Sequence, residues 1–419
     1  MSKNIKILIH SIAFSPDGVS TAYIYNDLAE AFKERGYEVQ VLTTTPHFNE
    51  IETRQVLKKK LFGLFHKSIF KNIEVYHVWQ KKYDLPLLRA IGFLYWHIVA
   101  IFLGVFFLKK ADIILSPSPP LTIGLVSLII GKIRGSKVIY NVQEVYPDLI
   151  INQGGVKNKW LIVILKKMEK AIYNYSDSVT TIHRNFYNTI LERFNDKSKL
   201  IIIPNFVSTD FYFPMKVSEI GINKSVFKMN EKVLKVMYAG NIGIAQDWDS
   251  LIKLAGLTSH LSIEYYVIGE GANKKKLKEN ILKHQLNNIK LIEYQDRNEM
   301  CQLINFADLH FIFMDFSMAK EGFPSKIFTI MACGKPILIS SPKDSPIIDF
   351  LQDKNCSFNF SNPDIEENTK QMANTLSDIS FNKTKLEVMG SSGLKIIQEK
   401  YTKEYISNQY MQLFDDLFA

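Results

Sequence analysis

Three cysteines, Cys301, Cys333 and Cys356, are all that the 419 residues contain, and no two of them form a C-x-x-C pair. An odd number without paired spacing argues against a disulfide framework or a zinc ribbon and fits a reducing cytoplasm. An export signal is missing as well. The apolar run Ile5-Lys-Ile-Leu-Ile9 is too short for a signal core and has no small-residue cleavage site, so it predicts a first strand in a protein that stays inside the cell. There is no internal repeat, no low-complexity tract and no helix-turn-helix, zinc-finger or RNA-binding signature, which places nucleic acid last among partners. Acidic residues are scarce in one half only. Through Asn205 there are 16 Asp and Glu against 27 Lys and Arg, whereas the remainder has 26 against 24. The net charge of +9 therefore sits wholly in the first half, where it points to anionic lipid or a phosphorylated substrate.

What is present is α/β patterning, twice over. At this length two domains of about 200 residues are the natural expectation. Short apolar strands at Ile5–His10, Glu38–Thr43, Ile73–Val78, Ile113–Leu115, Val138–Tyr140, Ser178–Ile182 and Leu200–Ile203 alternate with helical stretches such as Thr21–Arg35. Proline and polar residues in Pro204–Asp210 break the periodicity and read as a linker. A second series runs through Leu234–Ala239, Ile263–Ile268, Ile289–Ile292, Leu309–Phe313 and Pro336–Ile339. Domains are predicted at 1–205, 206–400 and a last helix within 401–419 that crosses back to the first. Two Rossmann-like α/β domains facing across a cleft put the ligand at the carboxyl ends of the strands.

The segment from Ala90 to Leu108 is long and apolar enough to span a bilayer, with Arg89 before it and Lys109-Lys110 after it. A strand, Ala111–Ser116, follows at once, so a span would split the first domain between two compartments. A helix inside the domain fits better, either buried or with its apolar excess lying in the lipid interface. Lys58–Lys67 and Trp160–Lys167 also interleave cations with large apolar residues, and each cation near an anionic leaflet adds about 1 kcal/mol of attraction. Peripheral contact with the inner leaflet is the expectation.

Three segments of the second half carry the chemistry. Tyr238-Ala-Gly-Asn-Ile-Gly243 follows a strand, and its glycines let backbone amides approach an anion; a glycine turn is used equally often for steric reasons alone. Val267-Ile-Gly-Glu-Gly271 repeats the pattern one strand later. In Lys320-Glu-Gly-Phe-Pro-Ser-Lys-Ile-Phe-Thr-Ile-Met-Ala-Cys-Gly-Lys-Pro336, a helix capped by Ser325 is predicted to close at Gly334. Lys326 in its first turn opposes the helix dipole, a penalty that a bound pyrophosphate would reverse. Asp247-Trp-Asp249 spells D-x-D but falls at a helix start, where it reads as capping.

In this order and spacing the three segments resemble glycosyltransferase family 4, a retaining family of the GT-B fold, and within it bacterial transferases of O-antigen and capsule assembly such as N-acetyl-fucosamine transferases. Phe14–Ser20, Arg35–Thr43, Ser116–Leu121, Ile203–Val207 and Ala239–Gln246 match that subgroup too. The resemblance implies a nucleoside diphosphate sugar donor, most naturally uridine diphosphate, and no metal or other cofactor. It places Gly18 near the donor phosphates. Asn241, Gly243 and Lys326, helped by Ser325, would meet the pyrophosphate. Glu321 would be the first acid of the E-x7-E pattern, contacting the donor sugar. Tyr294 would border the base, and Gly269, Gly322, Phe323 and Pro324 would line the donor site. Two positions depart from the family. The second acid falls on Thr329, which weakens the expected ribose contact, and Gln246 stands where relatives carry a lysine.

Developing charge on a leaving diphosphate requires fixed amides and a cation, which Lys326 would supply; the resemblance adds Glu321 as its catalytic partner and implies attack on the same face with no protein nucleophile. Glu144, after a strand of the first half, would orient the acceptor hydroxyl, although a surface carboxylate explains it about as well; His10, His183 and Asp148 are weaker candidates. A polyprenyl-diphosphate-linked saccharide is the expected acceptor. The competing readings are a non-catalytic nucleotide-sugar binder within a polysaccharide assembly complex, prompted by Thr329, and a sugar-nucleotide epimerase of the same architecture.

Overall fold

A computed structural model describes residues 5–46, 57–81, 85–152, 154–223, 225–319 and 322–419, which divide into two units: residues up to Phe206 with Lys403–Ala419, and Val207–Thr402.

In the first unit the chain forms β1 (Lys6–His10), α1 (Ser20–Glu34), β2 (Glu38–Thr44), β3 (Lys58–Lys60), β4 (Phe65–Phe70), β5 (Ile73–Val78), α2 (Pro86–Phe102), β6 (Ile113–Pro117), α3 (Thr122–Arg134), β7 (Lys137–Val142), α4 (Asp148–Asn152), α5 (Lys159–Tyr175), β8 (Ser178–Thr181), α6 (Arg184–Leu191) and β9 (Leu200–Ile202). Among the described residues these strands make one nine-stranded sheet in the order β3-β4-β5-β2-β1-β6-β7-β8-β9. Pairing is parallel except in the β3–β4–β5 meander. Buried on both faces, the central strands are near-continuous runs of Ile, Val and Leu, which is why they were readable.

Ile7, Ile9, Val41, Ile113, Leu115 and Ile139 point to one face and pack with Tyr25, Leu28 and Phe32 of α1. The other face is covered by α3, whose Gly124 and Gly131 lie against Tyr140 and Val138, and α3 in turn contacts α2 and α5.

The second unit runs β10 (Leu234–Ala239), α7 (Trp248–Leu257), β11 (Ile263–Ile268), α8 (Lys274–Lys283), β12 (Ile289–Ile292), α9 (Met300–Phe306), β13 (Leu309–Phe313), α10 (Lys326–Ala332), β14 (Ile337–Ser340), α11 (Pro346–Leu351), β15 (Ser357–Phe360), α12 (Ile365–Phe381) and α13 (Thr384–Lys400). Its six strands are all parallel, in the order β12-β11-β10-β13-β14-β15. The last helix, α14 (Lys403–Asp416), belongs to the first unit. There Tyr410, Leu413 and Phe414 complete the core beneath α1, and Tyr410 Oη accepts a hydrogen bond from Asn141 Nδ2 at 3.0 Å.

Two features differ from the sequence expectation. Strands β3, β4 and β15 were not foreseen; the lysine-rich stretch at 58–67 folds as a hairpin. And the apolar segment at 90–108 is less buried than a core helix. It forms most of α2 and a π-helical turn, Leu103–Phe107, and its inward residues Trp96, Val99, Ala100 and Leu103 are buried. Leu87, Ile91, Leu94, Ile98, Phe102 and Phe106 are exposed, at spacings of three and four that keep them on one face. This outward stripe is roughly 28 Å long. Ile129 and Ile133 of α3 and Trp160, Leu161, Val163 and Ile164 of α5 extend the exposed apolar surface to the neighbouring helices. In α2, α3 and α5 the only acid is Glu169, which is buried.

Candidate functional site

The two glycine turns of the second unit lie against each other at the carboxyl ends of β10 and β11. Gly240 N donates to Ile268 O at 2.9 Å, and Ile242 N donates to Glu270 O at 2.7 Å. The approach is so close that a β-carbon on Gly269 would stand 1.9 Å from Gly240 O, and one on Gly271 would stand 2.4 Å from Ile242 O. Both residues also have positive φ, +144° and +154°. Gly269, expected at the donor, thus has a packing reason for being glycine: it lets one turn support the other.

Into this corner comes Lys326. Its Nζ sits 3.6 Å from the centroid of the Tyr238 ring and beside Gly240, where a β-carbon would meet it at 2.7 Å. Desolvation lowers the Lys326 ammonium from its ordinary value of 10.5 to about 7. The ring face works the other way, since its quadrupole attracts a cation. Tyr238 is fixed in turn by its Oη, which donates to Asn241 O at 2.6 Å. Sequence reasoning missed Tyr238; its only signal was an aromatic residue at the last buried position of a strand entering the glycine turn.

The rest of the turn is tied down from within. Gly243 N donates to Gln246 Oε1 at 3.2 Å, so that amide is taken by a side chain of the turn itself. Gly243 O accepts from Trp248 Nε1 at 2.9 Å and from Asn273 Nδ2 at 3.1 Å. Asp247 caps α7 through Oδ1, which accepts from Ser250 N at 3.0 Å, so the D-x-D sequence is a helix start.

At α10 the position of Ser325 is as expected and its bonding is not. It stands at the N-cap, yet its side chain makes no capping bond. With φ −57° and ψ −18° its backbone is already helical, and side-chain capping needs an extended one. Thr329 Oγ1 donates to Lys326 O at 2.8 Å, which commits its proton to the helix and leaves the oxygen lone pairs for a ligand. Gly334, φ +65°, ends the helix. Phe323 packs its ring 5.8 Å from Phe328 and 5.5 Å from Phe350, a role in anchoring the loop. Gly322 and Pro324 lie in the same partly accessible loop, and Tyr294 is half exposed just after β12. Glu321 lies outside the described residues.

In the first unit Gly18 lies in the loop between β1 and α1. Glu144 follows β7; burial raises its carboxyl above the ordinary range, and its carboxylate has no hydrogen-bond or ion-pair partner among the described residues. The weaker candidates have structural work. His10 is buried, pushed down to about 3 by desolvation and bonded to Ser127 Oγ at 2.8 Å. His183 accepts from Asn185 N at the start of α6, and Asp148 is ion-paired with Arg193.

Residues 22–211 match the family described as Glycosyltransferase Family 4, and residues 220–391 match the one described as Glycosyl transferases group 1. This chain belongs to glycosyltransferase family 4. The transferase is 20% identical over 347 residues to the putative colanic acid biosynthesis glycosyl transferase WcaI of Escherichia coli, covering 80% of this chain and 83% of the relative. It is 23% identical over 301 residues to the probable glycosyltransferase WbjE of Pseudomonas aeruginosa, covering 71% and 73%. Among solved structures, HepE of Anabaena in complex with UDP and glucose aligns over 98% of the transferase and 100% of its own chain, with a TM-score of 0.72 at 14% identity. Its two parallel-sheet units are those of the GT-B fold.

Proposed function

We propose that this transferase moves a sugar, with retention at the anomeric carbon, from a uridine diphosphate donor to a polyprenyl-diphosphate-linked saccharide at the inner leaflet of the membrane, in the assembly of a surface polysaccharide. The observation that carries the donor half is the Lys326 ammonium beside Gly240, at two glycine turns whose backbones support each other. A nucleoside diphosphate leaving group needs a fixed cation and fixed amides where its charge develops, and preorganised groups of this kind act without a metal. Glu144 would orient the acceptor hydroxyl; its raised carboxyl suits a group that holds or accepts a proton. Support for uridine diphosphate comes from HepE, and for polysaccharide assembly from the name of WcaI. The acceptor half rests on the outward apolar stripe of α2 and on neighbouring helices whose one acid, Glu169, is buried, a surface suited to lying on lipid.

The test is transfer from a panel of labelled nucleotide sugars to polyprenyl-diphosphate saccharides in vesicles, with EDTA present and the anomeric configuration read by NMR. One uridine diphosphate sugar should give a retained, lipid-linked product, with far less on a soluble saccharide. Equal transfer to soluble acceptors would sink the lipid half; an inverted product would remove the retaining mechanism.

Lys326 also gives the donor site a pH signature. The lysine pKa falls on folding, so between about 7 and 10.5 the unfolded chain binds one proton more than the folded one. This contribution to stability therefore rises with pH across that window and is at its most unfavourable below it. A bound diphosphate favours the ammonium, so above pH 7 nucleotide binding takes up as much as one proton, and affinity falls by up to about tenfold per pH unit. Calorimetry of UDP binding at pH 8 in Tris and in HEPES should give enthalpies that differ by the buffers' ionisation heats. Identical enthalpies would mean that Lys326 is already charged in the free enzyme.

A further inference from the structure

The hairpin β3–β4 is the least explained part of the first unit. Strand β3 consists of Lys58, Lys59 and Lys60, all exposed, on the outer edge of the sheet. Lys58 lies opposite Lys67, which sets cation against cation, an unfavourable cross-strand pairing, while Lys59 lies opposite His66, whose imidazole is held below its ordinary range by burial and by the nearby Lys59. Lys67 is compensated, by Glu74 and by the Tyr76 ring 5.2 Å away. Lys58, Lys59 and Lys60 have no acidic partner among the described residues.

Edge lysines by themselves have a protective use, since they discourage a second strand from pairing. That use does not account for the tip. Leu61, Phe62 and Gly63 turn the hairpin with φ of 46°, 53° and 93°, and Phe62 projects fully exposed. A protective edge gains nothing from an aromatic ring held out in water. The turn end of the hairpin adjoins the apolar helix: the Phe65 ring, on the pair next to the turn, lies 5.5 Å from that of Phe107, next to exposed Phe106 at the end of the α2 stripe. A row of unmatched cations, an aromatic tip and a neighbouring apolar ridge complement one kind of surface, anionic phospholipid headgroups above acyl chains.

We propose that the β3–β4 hairpin is an anionic-lipid contact, in which Lys58, Lys59 and Lys60 engage headgroup phosphates and Phe62 enters the interfacial layer. This rests on the peripheral membrane reading above and adds the selector: α2 supplies apolar area, and the hairpin supplies preference for negative charge. Attraction of about fivefold per cation predicts that Lys58→Gln/Lys59→Gln/Lys60→Gln partitions on the order of a hundredfold less onto vesicles containing phosphatidylglycerol. Binding of that variant should then fall less steeply with salt than that of wild type. All three positions are exposed, so the variant keeps the wild-type melting temperature.

The experiment uses the full chain on phosphatidylcholine vesicles with and without phosphatidylglycerol. A second readout is Phe62→Cys carrying an environment-sensitive fluorophore, which is selective because the three native cysteines are buried. Its emission should rise and shift to the blue on anionic vesicles. If the triple variant binds these vesicles like wild type, or the label stays dark on vesicle-bound protein, the hairpin proposal is overturned. Loss of binding in Ile91→Asp/Ile98→Asp in that case shows that the membrane reading itself survives. If wild type ignores anionic vesicles altogether, both fail.

Discussion

Lys326→Ala is expected to lower kcat/KM for sugar transfer roughly 100- to 1,000-fold, the usual consequence of removing one preorganised group that stabilises developing charge. The reasoning is positional. Nζ is held between the Tyr238 ring and the Gly240 backbone, so it cannot swing away as a surface lysine does. Gln246 offers no charge, and its Oε1 is already bonded to Gly243 N. No second cation on this turn shares the burden. The loss should appear mainly in kcat, because the leaving diphosphate carries more negative charge than the intact donor. Stability should hold, or rise slightly near neutral pH, since the substitution removes a desolvated ammonium. Thermal shifts with UDP, GDP, ADP and CMP separate binding from chemistry: wild type should be raised by one diphosphate, UDP, and Lys326→Ala should lose most of that shift. A variant that keeps full activity would hand the role to the turn amides. Lys326→Arg is a useful companion, because the flat guanidinium does not fit a corner that accepts a single ammonium, and activity should not return.

That corner was only half legible in the sequence. The glycine turns and Lys326 were visible because strands β10 and β11 are unbroken apolar runs ending in glycine, and because a lysine in the first turn of a helix is out of place. Their meeting was not visible. Tyr238 and Lys326 are far apart along the chain, and nothing in either segment says that the ring receives the ammonium. Ser325 shows the opposite failure. Residue type predicted a cap, but a cap is a backbone conformation first, and the preceding Pro324 loop enters the helix already turned. Parallel central strands were easy for the physical reason that both faces are buried; β3 was hidden because three lysines carry no apolar pattern, and β15 because Ser357–Phe360 is short and only partly buried. Composition declared α2 apolar, yet which face stays outside depends on α3 lying beside it, a fact of the fold rather than of the segment. Thr329 is one of the two positions where this chain departs from the pattern it resembles. Its hydroxyl proton goes to Lys326 O, which explains how the helix tolerates threonine there; under the proposed donor binding a ribose would meet a weaker partner than a carboxylate.

Gly269→Ala should be among the most damaging single-methyl changes in the second unit, destabilising it by on the order of 3 kcal/mol. Two effects add. At φ +144° any side chain is strained, and here the added carbon lies 1.9 Å from Gly240 O and 3.0 Å from Gly240 C. Those atoms are backbone, so no rotamer change relieves the contact. Gly36→Ala isolates the first effect: its φ is +90°, but nothing lies within 4 Å of the added carbon, so it should cost only about 1 kcal/mol. Urea unfolding of the two variants beside wild type measures the difference. The functional consequence follows from the same geometry. The clash is relieved only by moving the Gly240 turn away from β11, and that turn is what Lys326 Nζ rests against. Folded Gly269→Ala protein should therefore lose nucleotide stabilisation together with stability, while Gly36→Ala keeps it. A Gly269→Ala protein that melts and binds UDP like wild type would show that the two turns separate freely, and the supported corner would no longer explain how the lysine is held in place.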